Sequence, residues 1–541
     1  MIRTSDINKR VGEKTEGMRG RKSGLFQVCV VVFLIFHLFY ACFWGSQKIN
    51  YHVDEYYTYG LANNRGSIDP VIEDGVPYQG DSVFLNYLSP DDSERFDYSI
   101  VWENQANDVH PPLYYILIHT VCSFFPGIFS KWEALSVNLV LLIIVDGLVF
   151  LTARQIFRDR WTAFLTMVIN GMTLLCVNTI LFLRMYMLMT VFVLGVTALF
   201  LKYFKRNKDK KFYLLLFFLS LGGALTQYYF LIYLFFLCLV FGIGLIVQRE
   251  WKDIVYFLLA LGCAGGASIA IFPAMINQIF GDGYRGKEAF GNARTLADVP
   301  AHISEYIRII NDEVFGGLGV IVLLFAVCFL LLLFREQQKN RSHIFKLCLF
   351  VVPTVCYCVM IAVIAPYQYD RYVMAVGPLL VLAGIWPVYY VMDSIFSKQK
   401  KYGNTVVNGI SVGIFAVMIC SAMRLSGWTP EYTYRNTEAR LETAKEYADC
   451  HALYMYVASW TVNDNMQELL NYQDYTFLKE NELADYTGAD EDEELVLYVP
   501  KSIDIQNVIT SIQTKNPKLT NVELLYENKH QDFANVYHLG K

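Results

Sequence analysis

Two short polar strings in this 541-residue chain combine acidic residues with an adjacent apolar segment. The first, YHVDEYY at 51–57, carries Asp54 and Glu55 directly after a long apolar run. The second, DVHPPLYY at 108–115, carries Asp108 and His110 directly before another apolar stretch. Ionisable groups beside a membrane segment usually line a site or a pathway. We therefore expect both strings to contribute to a functional site.

Further polar residues stand at the ends of later apolar runs: Arg184 and Tyr186, Arg285, and the pair Arg371-Tyr372. The planar guanidinium group of arginine can bind two phosphate oxygens at once and can stabilise the charge on a leaving phosphate. A carboxylate can take the proton from a hydroxyl group as the hydroxyl attacks. Together these residues predict the transfer of a sugar from a phosphate-linked lipid to an acceptor, with the lipid tail in the bilayer.

The composition is that of a membrane protein, because 55% of the residues are hydrophobic and only 18% are charged, less charge than soluble proteins carry. Apolar runs of about 20 residues, long enough to cross a bilayer, recur along the chain. The net charge of −5 does not suggest nucleic acid as a partner. The predicted spans are 25–45, 134–153, 161–181, 187–203, 213–227, 230–248, 254–272, 315–334, 344–365, 372–392 and 405–423.

The apolar segment 111–125 decides the sidedness of all later spans. It is short and begins with two prolines, so we expect an interfacial or re-entrant segment rather than a span. In that case the basic clusters at 202–211 and 335–341 fall on the same side as the basic N-terminus, as expected for short cytoplasmic loops. The prediction is eleven spans, with 1–24 in the cytoplasm and a long first outer loop at 46–133.

The C-terminal tail, 429–541, differs in pattern from the membrane region, 25–428. Strand-like and helical stretches alternate in it, which predicts a separate extracytoplasmic α/β domain. The strand-like stretches are 452–457, 495–499, 522–526 and 535–538, and the helical ones are 463–471 and 503–514. The fold class predicted for the whole chain is thus a polytopic α-helical membrane protein with a small α/β domain at its C-terminus.

The motifs resemble those of the GT-C membrane glycosyltransferases, in particular the protein O-mannosyltransferases and the lipid A aminoarabinose transferases. Members of that group carry an acidic pair directly after the first span. The resemblance covers about 25–425 and does not include the tail. The motifs that carry it are Asp54-Glu55, Asp108 to Leu113, Arg184-x-Tyr186, and Arg371-Tyr372 followed by Pro378.

The resemblance implies a GT-C-like fold and an inverting transfer from a polyprenyl-phosphate sugar to an acceptor hydroxyl. It implies Asp54 as the general base and Glu55 as the group that orients it or contacts the acceptor. The other implied substrate-binding residues are Asp108 and His110 on the acceptor side, Arg285 and Arg371 at the lipid phosphate, and Arg184, Tyr186 and Tyr372 in support. The aminoarabinose transferases have a lysine where this chain has His110.

Other interpretations stay open at this stage. The chain could be a transporter or flippase of a polar lipid, or a membrane anchor for the tail, and Arg184 and Arg371 could simply snorkel to the interface. Asp54 and Glu55 could be ordinary loop charges. An acidic pair could also hold a divalent metal, although no further ligand set is evident. We expect a bacterial plasma membrane, and the acceptor could be a glycan, a lipid or a protein.

Overall fold

The structure, a computed structural model, describes residues 4–157, 159–281, 288, 291, 296–335, 337–396, 403–486, 494–528 and 533–541. Arg285 and the acidic residues 490–493 lie outside the described residues. The chain starts with a long helix, of which Gly24–Ser46 is apolar enough to span a membrane, and then forms four short helices in the first loop. These helices are α1 Thr4–Ser46, α2 Val53–Asn63, α3 Ser82–Leu88, α4 Tyr98–Asn107 and α5 Leu113–Cys122.

The central part of the chain is almost entirely helical. Where the structure describes the whole connection between two helices, that connection is a short loop or one or two residues, and the shortest of these helices, α17, has four residues. The helices are α6 Lys131–Ile156, α7 Arg160–Met172, α8 Leu174–Leu181, α9 Tyr186–Tyr203, α10 Lys210–Ala224, α11 Tyr229–Gln248, α12 Trp251–Ile271, α13 Ala274–Phe280, α14 Val299–Phe315, α15 Gly319–Arg335, α16 Gln337–Ile364, α17 Arg371–Met374, α18 Gly377–Phe396 and α19 Gly403–Leu425.

In the described part of the chain, eight helices are long and apolar enough to cross a membrane, and two bent helix pairs raise the number to as many as ten. The sequence predicted eleven spans. The difference is the segment 213–227, which corresponds to α10, a helix of only 15 residues. Helix α5 has 10 residues and is therefore about 15 Å long. This is half of the hydrocarbon thickness, in keeping with the prediction that 111–125 does not span.

Both bent pairs have a local cause in the backbone. Helices α7 and α8 meet at 60° because Thr173 is extended and its hydroxyl accepts the N–H of Cys176, which starts a new helix. Helices α14 and α15 meet at 94° because Gly316 and Gly317 both have positive φ, a conformation that glycine adopts without steric cost. The predicted span 161–181 thus corresponds to the bent pair α7 and α8, and the predicted span 315–334 corresponds to α15, the second helix of the other pair.

One carboxylate lies inside the membrane region and is paired there. Asp146 of α6 shares a hydrogen bond with His37 of α1, with 2.8 Å between Oδ2 and Nδ1, and both side chains are buried. Polar groups in membrane helices usually find such partners in a neighbouring helix. Asp146 therefore joins two helices and is not part of the polar group around Asp54.

The tail folds around a sheet that also includes a strand from the first loop. Among the described residues the strand order is β1-β3-β2-β4-β6-β5, with β2 parallel to β3 and β4 and the other pairs antiparallel. The sequence predicted β2, β4, β5 and β6 but missed β1 and β3. The strands are β1 Pro77–Tyr78, β2 His451–Tyr456, β3 Asp474–Lys479, β4 Leu495–Pro500, β5 Asn521–Tyr526 and β6 Ala534–Gly540, and the tail helices are α20 Glu438–Glu446, α21 Met466–Leu469 and α22 Ile505–Lys515.

The tail also contacts the first loop, and the sequence did not predict this contact. β1 pairs with β3, the outermost strand of the tail on that side of the sheet, and the hydroxyl of Tyr475 donates to the carbonyl oxygen of Gly80 at 2.6 Å. The segment before α20 also binds the start of the first loop, because Ile49 N–H donates to the carbonyl oxygen of Thr433 at 3.0 Å. Loop and tail thus share one sheet and one set of backbone hydrogen bonds.

We expect Gly60→Ala to destabilise the protein by about 1–3 kcal/mol through overpacking. Gly60 lies in α2, where an added Cβ would stand 2.0 Å from Cζ of Tyr87, and Tyr87 is held by a hydrogen bond from its hydroxyl to the carbonyl oxygen of Ile68. The measurement is the thermal unfolding midpoint in detergent. Gly147→Ala is the control, because nothing lies within 4 Å of the added Cβ there. Equal midpoints for the two variants would contradict the packing seen around α2.

Candidate active site on helix α2

The helix that carries the acidic pair is fixed at its first turn. The N-cap residue His52 accepts the N–H of Asp54 on its Nδ1 at 3.0 Å, and Glu55 accepts the N–H of His52 at 2.7 Å. This reciprocal arrangement is a capping box, which satisfies backbone donors that a helix start leaves without intrahelical partners. Asp54 and Glu55 therefore have defined directions at the start of α2.

Glu55 is completely buried and serves the fold. Its carboxylate pairs with Lys48 Nζ at 2.9 and 3.0 Å and also accepts the N–H of Leu183 at 2.8 Å. Lys48 in turn donates to the carbonyl oxygen of Tyr432 at 2.9 Å. The sequence expectation was that Glu55 orients Asp54 or contacts the acceptor. In the structure Glu55 is buried and binds the first loop, the α8–α9 connection and the tail together.

Asp54, the neighbour of Glu55, points to an accessible space. Its side chain keeps 32% of its surface exposed, and Oδ2 lies 2.5 Å from Nη1 of Arg371. Burial raises the pKa of Asp54, but the charges of Arg371, His52 and Arg184 outweigh it, so that the pKa of Asp54 lies far below its usual range. Asp54 is therefore an ionised carboxylate, held by an arginine 317 residues away in the sequence.

Arg184 is buried next to the Asp54–Arg371 pair and holds the first turns of α2 by hydrogen bonds. It is 5% exposed and its Nη1 donates to three oxygens: the Asp54 carbonyl at 3.1 Å, the Thr58 hydroxyl at 3.2 Å and the Tyr115 hydroxyl at 3.0 Å. Its Nη2 approaches Nε2 of His110 to 3.5 Å. Arg184 thus joins α2 to the second polar string.

Asp108 and His110 form the other side of the site. His110 Nδ1 lies 2.9 Å from Oδ2 of Asp108. Burial lowers the pKa of His110, so its imidazole is neutral, whereas the hydrogen bond with His110 and the charge of Arg184 lower the pKa of Asp108 despite its burial. Since Arg184 can only donate, the neutral imidazole carries its proton on Nδ1 and turns the Nε2 lone pair towards the guanidinium. The pair is therefore a carboxylate that fixes one tautomer of a neutral histidine.

The two tyrosines of the sequence prediction are buried near the arginines. Tyr186 begins α9 and its ring stacks on Phe182 at 5.8 Å. Tyr372 lies directly after Arg371, whose guanidinium carbon is 5.3 Å from the centre of its ring. Both tyrosines are less than 10% exposed, so we expect them to shape the site around the arginines. Of the predicted site residues, Arg285 is the one that lies outside the described residues.

A group of three carboxyls lies behind Arg371. Ligand atoms of Glu313, Asp370 and Glu431 are all within 4.8 Å of one another. Burial and the charge of Glu431 raise the pKa of Asp370 to about 7, because neighbouring carboxylates cannot all ionise easily. Asp370 accepts hydrogen bonds from the N–H of Arg371 at 2.7 Å and from the hydroxyl of Tyr432 at 2.6 Å. Asp370 thereby caps α17 and orients Arg371. Glu313, Asp370 and Glu431 are the residues whose oxygens would coordinate a divalent cation near the site.

Sequence reasoning missed several residues that position the site, chiefly Lys48, Tyr115, Asp370 and Tyr432. Lys48 had one signal, since it is a lone cation seven residues before Glu55. Nothing in the sequence indicated Tyr432. Its carbonyl oxygen accepts a hydrogen bond from Lys48, 384 residues away, and its hydroxyl donates to Asp370, 62 residues away.

Comparison with known proteins points to one family. Residues 109–273 match the family described as dolichyl-phosphate-mannose-protein mannosyltransferase. Solved structures with a similar chain course include ArnT from Cupriavidus metallidurans bound to undecaprenyl phosphate, at 11% identity and a TM-score of 0.48, covering 96% of this chain and 98% of that chain. Another is the archaeal oligosaccharyltransferase AglB from Archaeoglobus fulgidus in complex with an inhibitory peptide and a dolichol-phosphate, at 9% identity and a TM-score of 0.42, covering 86% of this chain and 69% of that chain. A search of curated proteins finds no match.

The described chain is a multi-pass helical membrane protein with a polar site at the start of α2. The family match includes most of the second polar string, which also carries the resemblance seen in the sequence. The match covers less than a third of the chain, and it includes the helices from α5 to α12.

We expect Lys48→Met to lower the free energy of unfolding by about 3–5 kcal/mol, since it leaves the Glu55 carboxylate buried without its cation. Both side chains of this pair are fully buried. The double variant Lys48→Met/Glu55→Gln should recover part of the loss because no unpaired charge remains. The measurement is thermal unfolding in detergent, with Lys501→Met as control at the exposed pair Lys501–Glu527, which should cost under about 1 kcal/mol. A single variant as stable as the double variant would show that the pair does not hold this region.

Proposed function

We propose that this protein transfers a sugar from a polyprenyl-phosphate donor to a hydroxyl group of an acceptor, with inversion at the anomeric carbon and on the extracytoplasmic side of the membrane. The observation that carries the proposal is the pair of Asp54 and Arg371, an accessible carboxylate and a guanidinium 2.5 Å apart next to the membrane helices. Asp108, His110 and Arg184 surround this pair. The family match of 109–273 supports the same class of donor.

In this proposal Arg371 exchanges partners during the reaction. Without donor, it neutralises Asp54 and keeps that carboxylate ionised but weakly basic. A lipid phosphate that binds Arg371 through two oxygens would release Asp54 and make it a stronger base. Nε of Arg371 is buried and has no hydrogen-bond partner among the described residues, so a donor for a second phosphate contact is present.

The chemical step then balances within the site. The acceptor oxygen attacks the anomeric carbon while its proton passes to Asp54. The bond from the anomeric carbon to the phosphate oxygen breaks, and the polyprenyl phosphate leaves with the bonding electrons. Arg371 stabilises the charge that develops on the phosphate. Arg184 holds the Asp54 carbonyl oxygen and thus keeps the base in position, and a single displacement of this kind inverts the anomeric configuration.

The proposed orientation of the protein across the membrane is based on the positions of the basic residues in the sequence. We propose a multi-pass protein of a bacterial plasma membrane with 1–24 in the cytoplasm, a membrane domain at 25–428, and the first loop and the tail, 429–541, outside. Since the loop and the tail share a sheet, they must be on the same side of the membrane, which requires an odd number of spans, with α10 crossing as the eleventh. The positive-inside rule then favours the outer side for the sheet and for Asp54.

Asp54→Asn should lower transfer by about 10²–10⁴-fold, because an amide cannot accept the proton, while the protein still inserts and folds. The test expresses each variant in cells that lack the endogenous protein and compares surface glycans, glycolipids and glycoproteins by mass spectrometry. The matched control is Asp92→Asn, a carboxylate of the same loop whose side chain is 88% exposed. A full yield of the wild-type product from the Asp54→Asn variant would refute the proposed role of Asp54.

Arg371→Gln should shift the acid limb of the pH–rate profile upwards, in addition to slowing transfer. In the wild type the pKa of Asp54 is depressed chiefly by Arg371, against the effect of burial. Without the guanidinium, burial raises this pKa, so that Asp54 becomes protonated at a higher pH and activity is lost earlier on acidification. The pH dependence of product formation in isolated membranes is the measurement.

Arg65→Gln is the control for that profile, since Arg65 is a half-exposed arginine of the first loop that pairs with Asp97 and Glu94. An Arg371→Gln variant whose acid limb coincides with that of the wild type and of Arg65→Gln would show that Arg371 does not set the ionisation of Asp54.

A further inference from the structure

A second group of chemically reactive side chains lies in the tail, at one end of the inner strands β2, β4 and β6 of its sheet. Cys450, Glu494 and His538 bring one ligand atom each to within 4.8 Å of one another. They are a thiol, a carboxylate and an imidazole, which is the donor set that zinc prefers in proteins. None of the three contributes to the site around Asp54.

The strand register explains why the three residues meet. β2 and β4 are parallel with His451 opposite Leu495. The residues before them, Cys450 and Glu494, are therefore neighbours at the start of these two strands. β6 runs antiparallel to β4 with His538 opposite Val496. Because side chains alternate between the two faces of a sheet, Glu494, Val496 and His538 share one face. The three ligand atoms thus come from three adjacent strands.

The distances fit a tetrahedral metal ion. Cys450 Sγ lies 3.8 Å from Oε2 of Glu494, and His538 Nε2 lies 3.5 Å from the same oxygen. With bonds of about 2.0 Å to oxygen or nitrogen and about 2.3 Å to sulfur, the edges of a tetrahedron are about 3.3–3.6 Å long. Both of these separations are within a few tenths of an ångström of such edges, and the third pair of atoms, Sγ and Nε2, lies within 4.8 Å.

The surroundings leave the histidine nitrogen available. His538 Nε2 is buried, and no hydrogen bond to it is formed within the described part of the chain. The ring is held in place by Tyr447, whose ring centre is 4.6 Å away. By contrast, both ring nitrogens of His451, the first residue of β2, form hydrogen bonds: Nδ1 with Asp474 and Nε2 with the hydroxyl of Tyr486. A buried polar atom without a partner is costly, and a metal ion would satisfy it.

We propose that the tail binds one Zn²⁺ ion through Cys450 Sγ, a carboxylate oxygen of Glu494 and Nε2 of His538. A thiolate and a carboxylate together balance the charge of the ion, and the imidazole binds as a neutral ligand. Three protein ligands leave one coordination position for water or another small ligand. The ion joins the ends of β2, β4 and β6, three adjacent strands of the sheet, and so stabilises the tail.

The experiment uses the full-length protein in detergent, stripped with a chelator, incubated with ZnCl₂ and freed of unbound metal before elemental analysis. The wild type should retain one zinc per chain and gain several degrees in its unfolding midpoint, because a ligand that binds the folded state stabilises it. Cys450→Ser and His538→Ala should lose both effects. Cys263→Ser, at an exposed cysteine in α12, should keep them.

A second measurement covers the case in which a variant does not fold. Co²⁺ added to the wild type should give the near-ultraviolet charge-transfer band of a thiolate–cobalt bond, and Zn²⁺ should remove it. A wild-type chain that retains no zinc and shows no such band would overturn the proposal. So would folded Cys450→Ser and His538→Ala variants that bind zinc as the wild type does.

Discussion

The buried ion pair of Lys48 and Glu55 is the constraint on which the site depends. Two adjacent carboxylates at the start of one helix would repel each other if both were buried or if both faced the same cavity. The fold gives them different surroundings, because Glu55 enters the interior and is neutralised by Lys48 at 2.9 Å, whereas Asp54 keeps a third of its side chain accessible. Because Lys48 also binds Tyr432, the direction of Asp54 depends on the tail as well as on the membrane helices.

The charges around Asp54 then set its properties. Arg371 and Arg184 carry two positive charges, and neighbouring polar groups orient each of them. Asp370 caps the helix of Arg371, and Tyr115 and Thr58 accept from Arg184. These contacts hold both guanidinium groups in place, so that in the proposed reaction Arg371 exchanges Asp54 for the phosphate without a rearrangement of its surroundings. The same arginines keep Asp54 ionised, so the proposed base needs no preceding proton loss.

The sequence predicted the membrane architecture and the residues that meet at the site, because both depend on local composition and on order along the chain. Apolar runs mark helices, and Asp54, His110, Arg184 and Arg371 all stand at the ends of such runs. Bends were missed where they depend on one or two residues, such as Thr173. β1 is only two residues long, and nothing in so short a segment indicates a strand that pairs with one about 400 residues later. The role of Glu55 was also out of reach, since it depends on which of two neighbouring carboxylates meets Lys48.

The shared sheet changes how the tail can be studied. If the tail were only an appended module, a chain shortened at 429 would keep an intact membrane site. In this structure the shortened chain would lose the carbonyl oxygen of Tyr432 that Lys48 binds, the Tyr432 hydroxyl that binds Asp370 and the strand on which β1 pairs. Loss of activity on truncation would then follow for an enzyme and for an anchor alike. Single substitutions at Asp54 and Arg371 leave these contacts of Tyr432 and β1 in place, so they separate the catalytic contribution of the membrane site from the structural contribution of the tail.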